Sequence, residues 1–506
     1  MRKKRMGVIG RQGTKLTIVN FLGVGIGVLS TLFLYPKDPA LYGLIAYVIA
    51  TGTLFEPFAS MGIQVIVLRY FSRLKTDNQS GNGLFAYALL HLSLGIVFFS
   101  VFFWLFSDFA LSLVKQVNAQ DSKNIDLFFH FIPVLVGLLA LQNLLNYYIA
   151  NYRRIVIPGI ILNLLPKIWI PIAFLLAYHG FIDSTGIVYV VLAMVVVSVT
   201  GLLVYLKWLG HLSFKPQWQI YRGSTLREMV TYGLFGLLGV VGTQMAYRID
   251  QSMLGTILSM KSVGIFTFAL TIAMTIDMPA KSIMNISGPL ISDFFEKGEM
   301  DKIKEHYHKI ALNLFSVGLF LYLGLVLVAD DVFMLTKDPT NLLTARKIAM
   351  ILAFAKLVDM LTGPNDLIIG ISRYYRFNMI LILVLSLGNI LLNYSFIRKY
   401  GVFGPAMASV GFIVTFNFIK VIFLWVKFRM LPFSLAMLPL MISALFCAGI
   451  HYFLPRMGYP IIDGLIGGMI LLLGYLVPLL YWRWAPDLVK MLEGGLGSLG
   501  LKSPIK

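Results

Sequence analysis

Cysteine occurs once in 506 residues, at Cys447. A single thiol excludes an intrachain disulfide framework and any cysteine-built metal centre, and in its apolar surroundings Cys447 reads as a packing residue. Charge is scarce too. Asp, Glu, Lys and Arg make up 13% of the chain, where a soluble globular domain carries roughly a quarter. Acids are scarcer than bases, 23 against 42, giving a formal net charge of +19. There is no Gly-rich phosphate loop followed by Lys-Ser/Thr, no His-Glu-x-x-His and no cysteine pair, so nothing points to metalloenzyme chemistry or to ATP-driven transport within this chain. His306 and His308 beside Glu305 have adjacent-turn spacing without a second cluster, which reads as a solvated helix rather than a metal site.

What is abundant is hydrocarbon. Hydrophobic residues make up 58% of the chain and the mean hydropathy is +0.82, values of a polytopic membrane protein. Crossing ~30 Å of hydrocarbon takes roughly 17–25 apolar residues in a helix. Fourteen such runs begin near Leu16, Ala40, Leu84, Leu127, Ile155, Gly186, Met229, Val263, Ile310, Ile348, Phe377, Val402, Leu431 and Ile461. With the amino terminus placed inside, 28 of the 42 basic residues fall on inner segments, Lys420 among them, 10 on outer segments, and 4 within the runs. The positive-inside bias therefore predicts both termini in the cytoplasm. The basic stretch before the first run is not followed by a small-residue cleavage site, since Leu34 continues into Tyr35, Pro36 and Lys37, so it reads as a first spanning helix rather than a signal peptide. Much of the positive charge is thus topology signal and attraction to anionic lipid, which leaves little for a nucleic-acid reading to explain.

The chain repeats itself at an offset of about 220 residues. Tyr42-Gly43-Leu44-Ile45 matches Val263-Gly264-Ile265-Phe266, and Phe55-Glu56-Pro57-Phe58-Ala59 lies over Ile276-Asp277-Met278-Pro279-Ala280. Arg153 aligns with Arg373 and Gly180 with Gly401. Six spans separate each pair, so the halves share one orientation. Parallel repeats of this kind place a substrate site near the midplane and give alternating access by rocking. The expected fold is an all-α polytopic membrane protein of about fourteen transmembrane helices. Two parallel six-helix repeats form lobes around a central cavity: residues 1–210 the amino-terminal lobe, 211–430 the second, and 431–506 two additional helices with a cytoplasmic tail. No loop is long enough for a folded extramembrane domain. The segment Asp293–Lys309 reads as a helix end followed by a charged surface helix.

Four bases, Lys167, Arg248, Lys281 and Lys356, and five acids, Glu56, Asp250, Asp277, Asp359 and Asp366, lie within or at the ends of the apolar runs. Ionisable groups at bilayer depth are costly and face a partner or a wet cavity. Asp277 and Lys281, four apart, share a helix face. They read either as a charged patch on a cavity wall or as a neutralising pair that packs two helices. Glu56, the duplicate acid, has no such neighbour in sequence. Lys356, Asp359 and Asp366 form one stripe interrupted by Gly363-Pro364-Asn365, where proline removes a backbone hydrogen bond and the helix is predicted to kink or unwind, so Gly363 and Pro364 are the expected hinge. Arg248 either enters the cavity or snorkels to the interface. Lys167, after Pro166, has no acid nearby in sequence and is an anion-binding candidate. Lys281, Lys356, Lys167 and Arg248 are therefore the expected contacts to an anionic head group, and Asp277, Glu56, Asp359, Asp250 and Asp366 the expected cavity or ion-coupling acids. No catalytic residue, metal or bound cofactor is expected. The amides Gln142, Asn143, Asn146, Asn163, Asn389 and Asn393 read equally as pathway lining and as interhelical hydrogen-bond glue.

The stretch Asn389-Ile-Leu-Leu-Asn393-Tyr-Ser-Phe-Ile-Arg-Lys-Tyr-Gly401-Val-Phe-Gly404-Pro-Ala-Met-Ala-Ser resembles the signature of polysaccharide exporters and flippases. Arg248-Ile-Asp250-Gln-Ser-Met-Leu-Gly, followed by Ser262-Val-Gly264-Ile-Phe-Thr-Phe-Ala, resembles that family's seventh and eighth helices. The resemblance covers essentially the whole chain and belongs to the multidrug/oligosaccharidyl-lipid/polysaccharide superfamily. One departure is Pro405, where the family usually continues Gly-Ala-Ala. The resemblance implies a bacterial inner-membrane flippase of the O-antigen type, serving lipopolysaccharide or other surface polysaccharide biosynthesis. Such a protein turns a polyprenyl-diphosphate-linked oligosaccharide from the cytoplasmic to the periplasmic leaflet by alternating access without ATP, coupled to H+, Na+ or the membrane potential. Membrane lipids and enzymes of the polymerase or glycosyltransferase kind are its implied partners. Alternatives stay open: a peptidoglycan-precursor flippase, a multidrug or metabolite cation antiporter of the same superfamily, or a scrambling or structural protein. A membrane glycosyltransferase or polymerase is the enzyme alternative, but it usually needs a large outer loop that this chain lacks.

Overall fold

The computed structural model of the chain describes residues 8–74, 83–117, 122–152, 154–212, 214, 224–334 and 339–489. The basic cluster Arg2, Lys3, Lys4 and Arg5, the loop bases Lys75, Arg153, Lys215, Arg222 and Lys337, and the carboxy-terminal tail from Lys490 lie outside the described residues.

Every regular element among the described residues is helical. Two compact units divide the chain, residues 1–264 and 265–506. The first holds α1 (Val8–Phe33), α2 (Pro39–Ser60), α3 (Ile63–Leu74), α4 (Leu84–Val117) and α5 (Ser122–Ala150). It continues through α6 (Val156–Gly159), a π-helical turn at Ile160–Leu164, α7 (Leu165–Tyr178), α8 (Ser184–Trp208) and α9 (Ser224–Ile257). The helix α10 (Met260–Glu296) starts in the first unit and continues into the second. There it is followed by α11 (Met300–Met334), α12 (Pro339–Thr362), α13 (Asn365–Ile371), α14 (Tyr375–Tyr400) and α15 (Gly404–Phe428). The chain ends in α16 (Met437–Phe453), α17 (Pro460–Leu471), a second π turn at Leu472–Leu476, and α18 (Val477–Tyr481).

The apolar runs fall largely on helices, though the one that begins near Leu431 enters its helix only at Met437. Ten described stretches are long and apolar enough to cross a membrane, one of them, Tyr375–Phe428, covering two helices, and two shorter apolar helices accompany them. The protein is a multi-pass membrane protein. Its surface is correspondingly inverted: Trp104 is 74% exposed on α4 and Leu445 71% on α16, side chains that only lipid would solvate. With backbone polar groups closed within each helix, such surfaces cost nothing in hydrocarbon.

Local sequence accounts for the helix boundaries. Asp38 caps α2 by accepting from the Leu41 amide at 3.0 Å, with Pro39 as the first helical residue. Asp183 caps α8 through the Gly186 amide at 2.8 Å. The run that begins at Ala40 is broken: Met61 and Gly62 adopt left-handed backbone, φ 46° and 73°, between α2 and α3. At Gly62 any Cβ would fall on the Gly233 carbonyl of α9, so both the conformation and the close approach require glycine. Gly180 and Gly401, which align in the repeat, both follow a helix with positive φ, 80° and 59°.

In the first unit α2 is the central helix, packed against α4, α5, α8 and α9. Its glycine match in the repeat becomes a contact, since a Cβ on Gly43 would meet the Met260 carbonyl oxygen and Gly264, and one on Gly264 would meet the Pro39 carbonyl and Gly43. In the second unit α11 packs against α12, α16 and α17. A core of Phe315, Leu319, Leu327, Leu440, Cys447 and Tyr475 joins the last helices to the bundle. The charged stretch before Lys309 is not a separate surface helix. It forms the first turns of α11, because the apolar residues Ile303, Tyr307 and Ile310 keep one face buried while Lys302, Glu305 and Lys309 lie outside.

Candidate functional site

In the first unit, Lys167 and Arg248 are brought close enough to repel one another. Lys167 follows the π turn Ile160–Leu164. Pro166 has no N–H to donate to the preceding turn, and a wider turn relieves the clash. The Lys167 stem lies across α1, where a Cβ on Gly27 would sit 3.5 Å from its Nζ. Arg248 reaches from α9. Among the described residues neither makes an ion pair with a carboxylate. Asp250, two residues on, is buried and points elsewhere, as spacing on a helix dictates.

Glu56, 1% exposed, lies on α2 before the Met61–Gly62 break. Gln64 on α3 reaches back across the break and donates from Nε2 to Glu56 Oε1 at 2.7 Å. Asn143 of α5 and Ser60 lie beside the same carboxyl group.

In the second unit the duplicate acid Asp277 is differently placed. Its Oδ2 is 3.8 Å from Lys281 Nζ and 3.6 Å from Lys356 Nζ. One carboxylate therefore faces two ammonium groups, at distances of Coulombic contact rather than hydrogen bonding. The expected pairing of Asp277 with Lys281 is present, and Lys356 joins it from α12. The Lys281 side chain stays 62% exposed while those of Asp277 and Lys356 are largely enclosed.

The α12 stripe divides as its proline predicts. The helix ends at Thr362, Gly363 takes φ 65°, and α13 starts at Asn365. Asn417 of α15 bridges the break: its Oδ1 accepts from Thr362 Oγ1 at 2.9 Å and Asn365 Nδ2 at 2.8 Å, while its Nδ2 donates to Asp359 Oδ1 at 2.9 Å. Asp366, on α13, pairs with Lys420 Nζ at 2.9 Å. Lys420 is fully buried and lies over the Phe416 ring at 3.5 Å from its centroid.

This corrects the reading of Lys420 as an inner-segment base: it is interior to α15. A count of bases along the chain does not separate a helix's last turns from the loop beyond. Asn417, Lys420 and Leu424, three and four apart on a buried stripe, were the available signal. A second missed cluster surrounds Asp330 on α11. Arg346 of α12 pairs with its Oδ1 at 2.7 Å, and Arg456, in the segment between α16 and α17, with its Oδ2 at 2.8 Å. The Asp330 carboxylate holds the Arg456 guanidinium above its usual range. No local spacing joins these three residues.

The profile of the family described as "Polysaccharide biosynthesis protein" matches residues 33–337. No curated protein matches the chain in sequence. Among solved structures, the fold is similar to a lipid II flippase MurJ in an inward closed conformation, with TM-score 0.70, 13% identity, and coverage of 92% of this chain and 98% of that one. It is also similar to an inward-facing multidrug resistance MATE family transporter of the MOP superfamily, with TM-score 0.62, 15% identity, and coverage of 81% and 94%. Matched over more than half its length, the chain belongs to the polysaccharide biosynthesis protein family.

Proposed function

We propose that this protein is a flippase that moves a polyprenyl-diphosphate-linked oligosaccharide across the bacterial cytoplasmic membrane by alternating access. It would serve surface polysaccharide biosynthesis of the O-antigen kind, with both termini in the cytoplasm and with polymerase or glycosyltransferase enzymes as partners. One observation carries this reading: Lys167 and Arg248 stand within electrostatic reach of one another among membrane-spanning helices, with no carboxylate ion pair to either among the described residues. Two adjacent like charges in a low-dielectric setting repel, and an anion between them relieves the repulsion. A diphosphate fits because it presents several oxygens, which a guanidinium meets bidentately and an ammonium as a point charge. Asp277 with Lys281 and Lys356 supplies a further net positive cluster in the second unit. The Gly363–Pro364 break gives α12 and α13 a place to bend. A cation antiporter is less well served, since it would need unpaired acids where this pair stands. A lipid II type peptidoglycan precursor shares the diphosphate and differs only in its sugar.

The test is transport in proteoliposomes with a fluorescent short-sugar polyprenyl diphosphate. Each lost charge-assisted contact is worth roughly 1.5–3 kcal/mol, about tenfold or more in rate, so Lys167→Gln and Arg248→Gln should each slow transport by at least that factor without leaving the membrane. Lys281→Gln and Lys356→Gln should lower it less, because Asp277 already offsets part of their charge. Wild-type rates in all four variants would remove the anion reading. Equal transport of an uncharged polyprenol would do the same.

A further inference from the structure

A second set of bases stands where helices of the second unit end. The turn between α13 and α14 meets the last turn of α15 there, because the Tyr374 ring packs edge-on to Phe423 at 5.4 Å and to Phe428 at 5.7 Å. The backbone fixes that ring as well: Ser372 Oγ accepts from the Tyr374 amide at 3.1 Å and donates to the Ile369 carbonyl at 2.8 Å. Two cations from different elements lie over this one ring, Arg373 with its guanidinium carbon 4.9 Å from the centroid and Lys427 with its Nζ at 5.8 Å. Among the described residues neither makes an ion pair with a carboxylate, and both are exposed. Arg376 and Arg429 stand at the same two helix ends, again beside aromatic rings, Tyr375 and Trp425, rather than acids.

Helix polarity accounts for only part of this. Lys427 and Arg429 lie at the carboxy-terminal end of α15, where cations are favoured, but Arg376 is in the first turn of α14, which holds no acid and where a cation is disfavoured. The repeat accounts for only part too. At the 220-residue offset Arg373 falls on Arg153 and Lys427 on Lys207, yet Arg154 stands where the second half has Tyr374, so the shared ring belongs to the second half alone. Every polar group gathered at the ring can donate. Arg373 Nη2 donates to the Tyr374 hydroxyl at 2.8 Å, which leaves that hydroxyl its own proton to give. Such a set suits a group that carries negative charge and only accepts, and a phosphate diester is one. Beside it the same helices expose apolar side chains: Ile380, four residues after Arg376, is 56% exposed, and Val426, next to Lys427, is 52%. A soluble anion would leave these in water, whereas a lipid whose head group is held by the bases covers them with acyl chain.

We propose that Arg373, Lys427 and the Tyr374 hydroxyl form a binding site for the phosphate of an anionic glycerophospholipid, and that the bound lipid ties the α13–α14 turn to the end of α15. The site stands apart from the transport reading, since it uses none of Lys167, Arg248, Lys281 or Lys356 and is read by binding alone. With both termini in the cytoplasm, it draws its lipid from the inner leaflet.

The test titrates the full chain, purified in an uncharged detergent at about 0.15 M salt, with phosphatidylglycerol, and counts retained lipids by native mass spectrometry. The wild type should retain phosphatidylglycerol saturably and zwitterionic phosphatidylcholine far less. Removing both bases, Arg373→Gln with Lys427→Gln, should weaken binding about tenfold or more. Tyr374→Phe, which keeps the ring and deletes only the hydroxyl, should weaken it severalfold. Lys207→Gln with Lys304→Gln removes the same charge near the ends of α8 and α11 and should leave the affinity close to wild type, because distant surface charge is screened at that ionic strength. Equal weakening by the two pairs, or equal retention of the two lipids, would reveal diffuse surface charge and overturn the proposal. Displacement of the lipid by inorganic phosphate at equal concentration would identify a free-anion site, and binding of a polyprenyl diphosphate but not of phosphatidylglycerol a substrate site; either result overturns it as well. Phosphatidylglycerol should also raise the unfolding temperature of the wild type and not that of the Arg373→Gln, Lys427→Gln variant; no rise in the wild type overturns the tie between the turn and α15.

Discussion

Replacing Asp366 by Asn should destabilise the protein far more than replacing Lys420 by Met, although both substitutions break the same ion pair. The asymmetry follows from where the two charges sit. Lys420 is fully enclosed, whereas the Asp366 side chain is 53% exposed. Asp366→Asn strands an ammonium in the interior with Asp359 as its remaining carboxylate influence, and removing one partner of a buried pair costs about 3–5 kcal/mol. Lys420→Met removes the buried charge itself, keeps the unbranched stem over Phe416, and leaves a carboxylate that is free to be solvated, so the expected change is within about 1 kcal/mol of either sign. The double variant should recover most of what Asp366→Asn loses. Thermal and denaturant unfolding of the purified protein in detergent, followed by tryptophan fluorescence, measures all three. Equal losses in the two single variants, or a double variant as unstable as Asp366→Asn, would refute the assignment of the burial cost to Lys420.

Further outcomes follow from other contacts. Gly43→Ala and Gly264→Ala each place a methyl group on a backbone carbonyl of the facing helix, and overpacking of this kind costs about 1–3 kcal/mol, so both should lower the unfolding temperature while Gly25→Ala, with open space around it, should not. Asp330→Ala unpairs Arg346 and Arg456 together and should loosen the contact of the last helices with α11, seen as faster proteolysis near the segment between α16 and α17. Arg456→Ala, removing a 46% exposed side chain, should cost no more than about 1 kcal/mol. Asn417→Leu removes the partners of Asn365 Nδ2 and Asp359 Oδ1 at the α12–α13 break, while Thr362 Oγ1 keeps its bond to the Asp359 carbonyl, and buried polar groups left without partners cost about 1–3 kcal/mol each; Asn417→Asp, which keeps the acceptors but adds a charge beside Asp359, should also be unstable, and wild-type stability of both would show the network to be dispensable.

Much of the architecture is legible in the sequence because membrane helices announce themselves by composition. Apolar length marks the spans, and proline marks the break after Thr362. The repeat alone pairs Gly43 with Gly264 and Glu56 with Asp277, and the Asp277–Lys281 pair follows from four-residue spacing. The Met61–Gly62 break leaves no such mark, since the apolar run passes through it without a proline at that point. Lys420 is misplaced by a charge count because a base near a helix end looks the same whether its neighbours are lipid headgroups or the side chains of another helix.

The sequence by itself determined that the chain spans a membrane repeatedly, in two like halves, with a small set of ionisable residues held at depth, because hydrophobic run length and helical periodicity are local properties. The tertiary structure decided how those residues are partnered. Lys356 joined Asp277, Lys420 took Asp366, Asp330 drew in two arginines, Lys167 and Arg248 were left within electrostatic reach of one another, and Glu56 was left with amides. Such partnerships depend on side chains from helices far apart in sequence, and the energy of a buried charge is set by what stands within a few ångströms of it rather than by its own place in the chain.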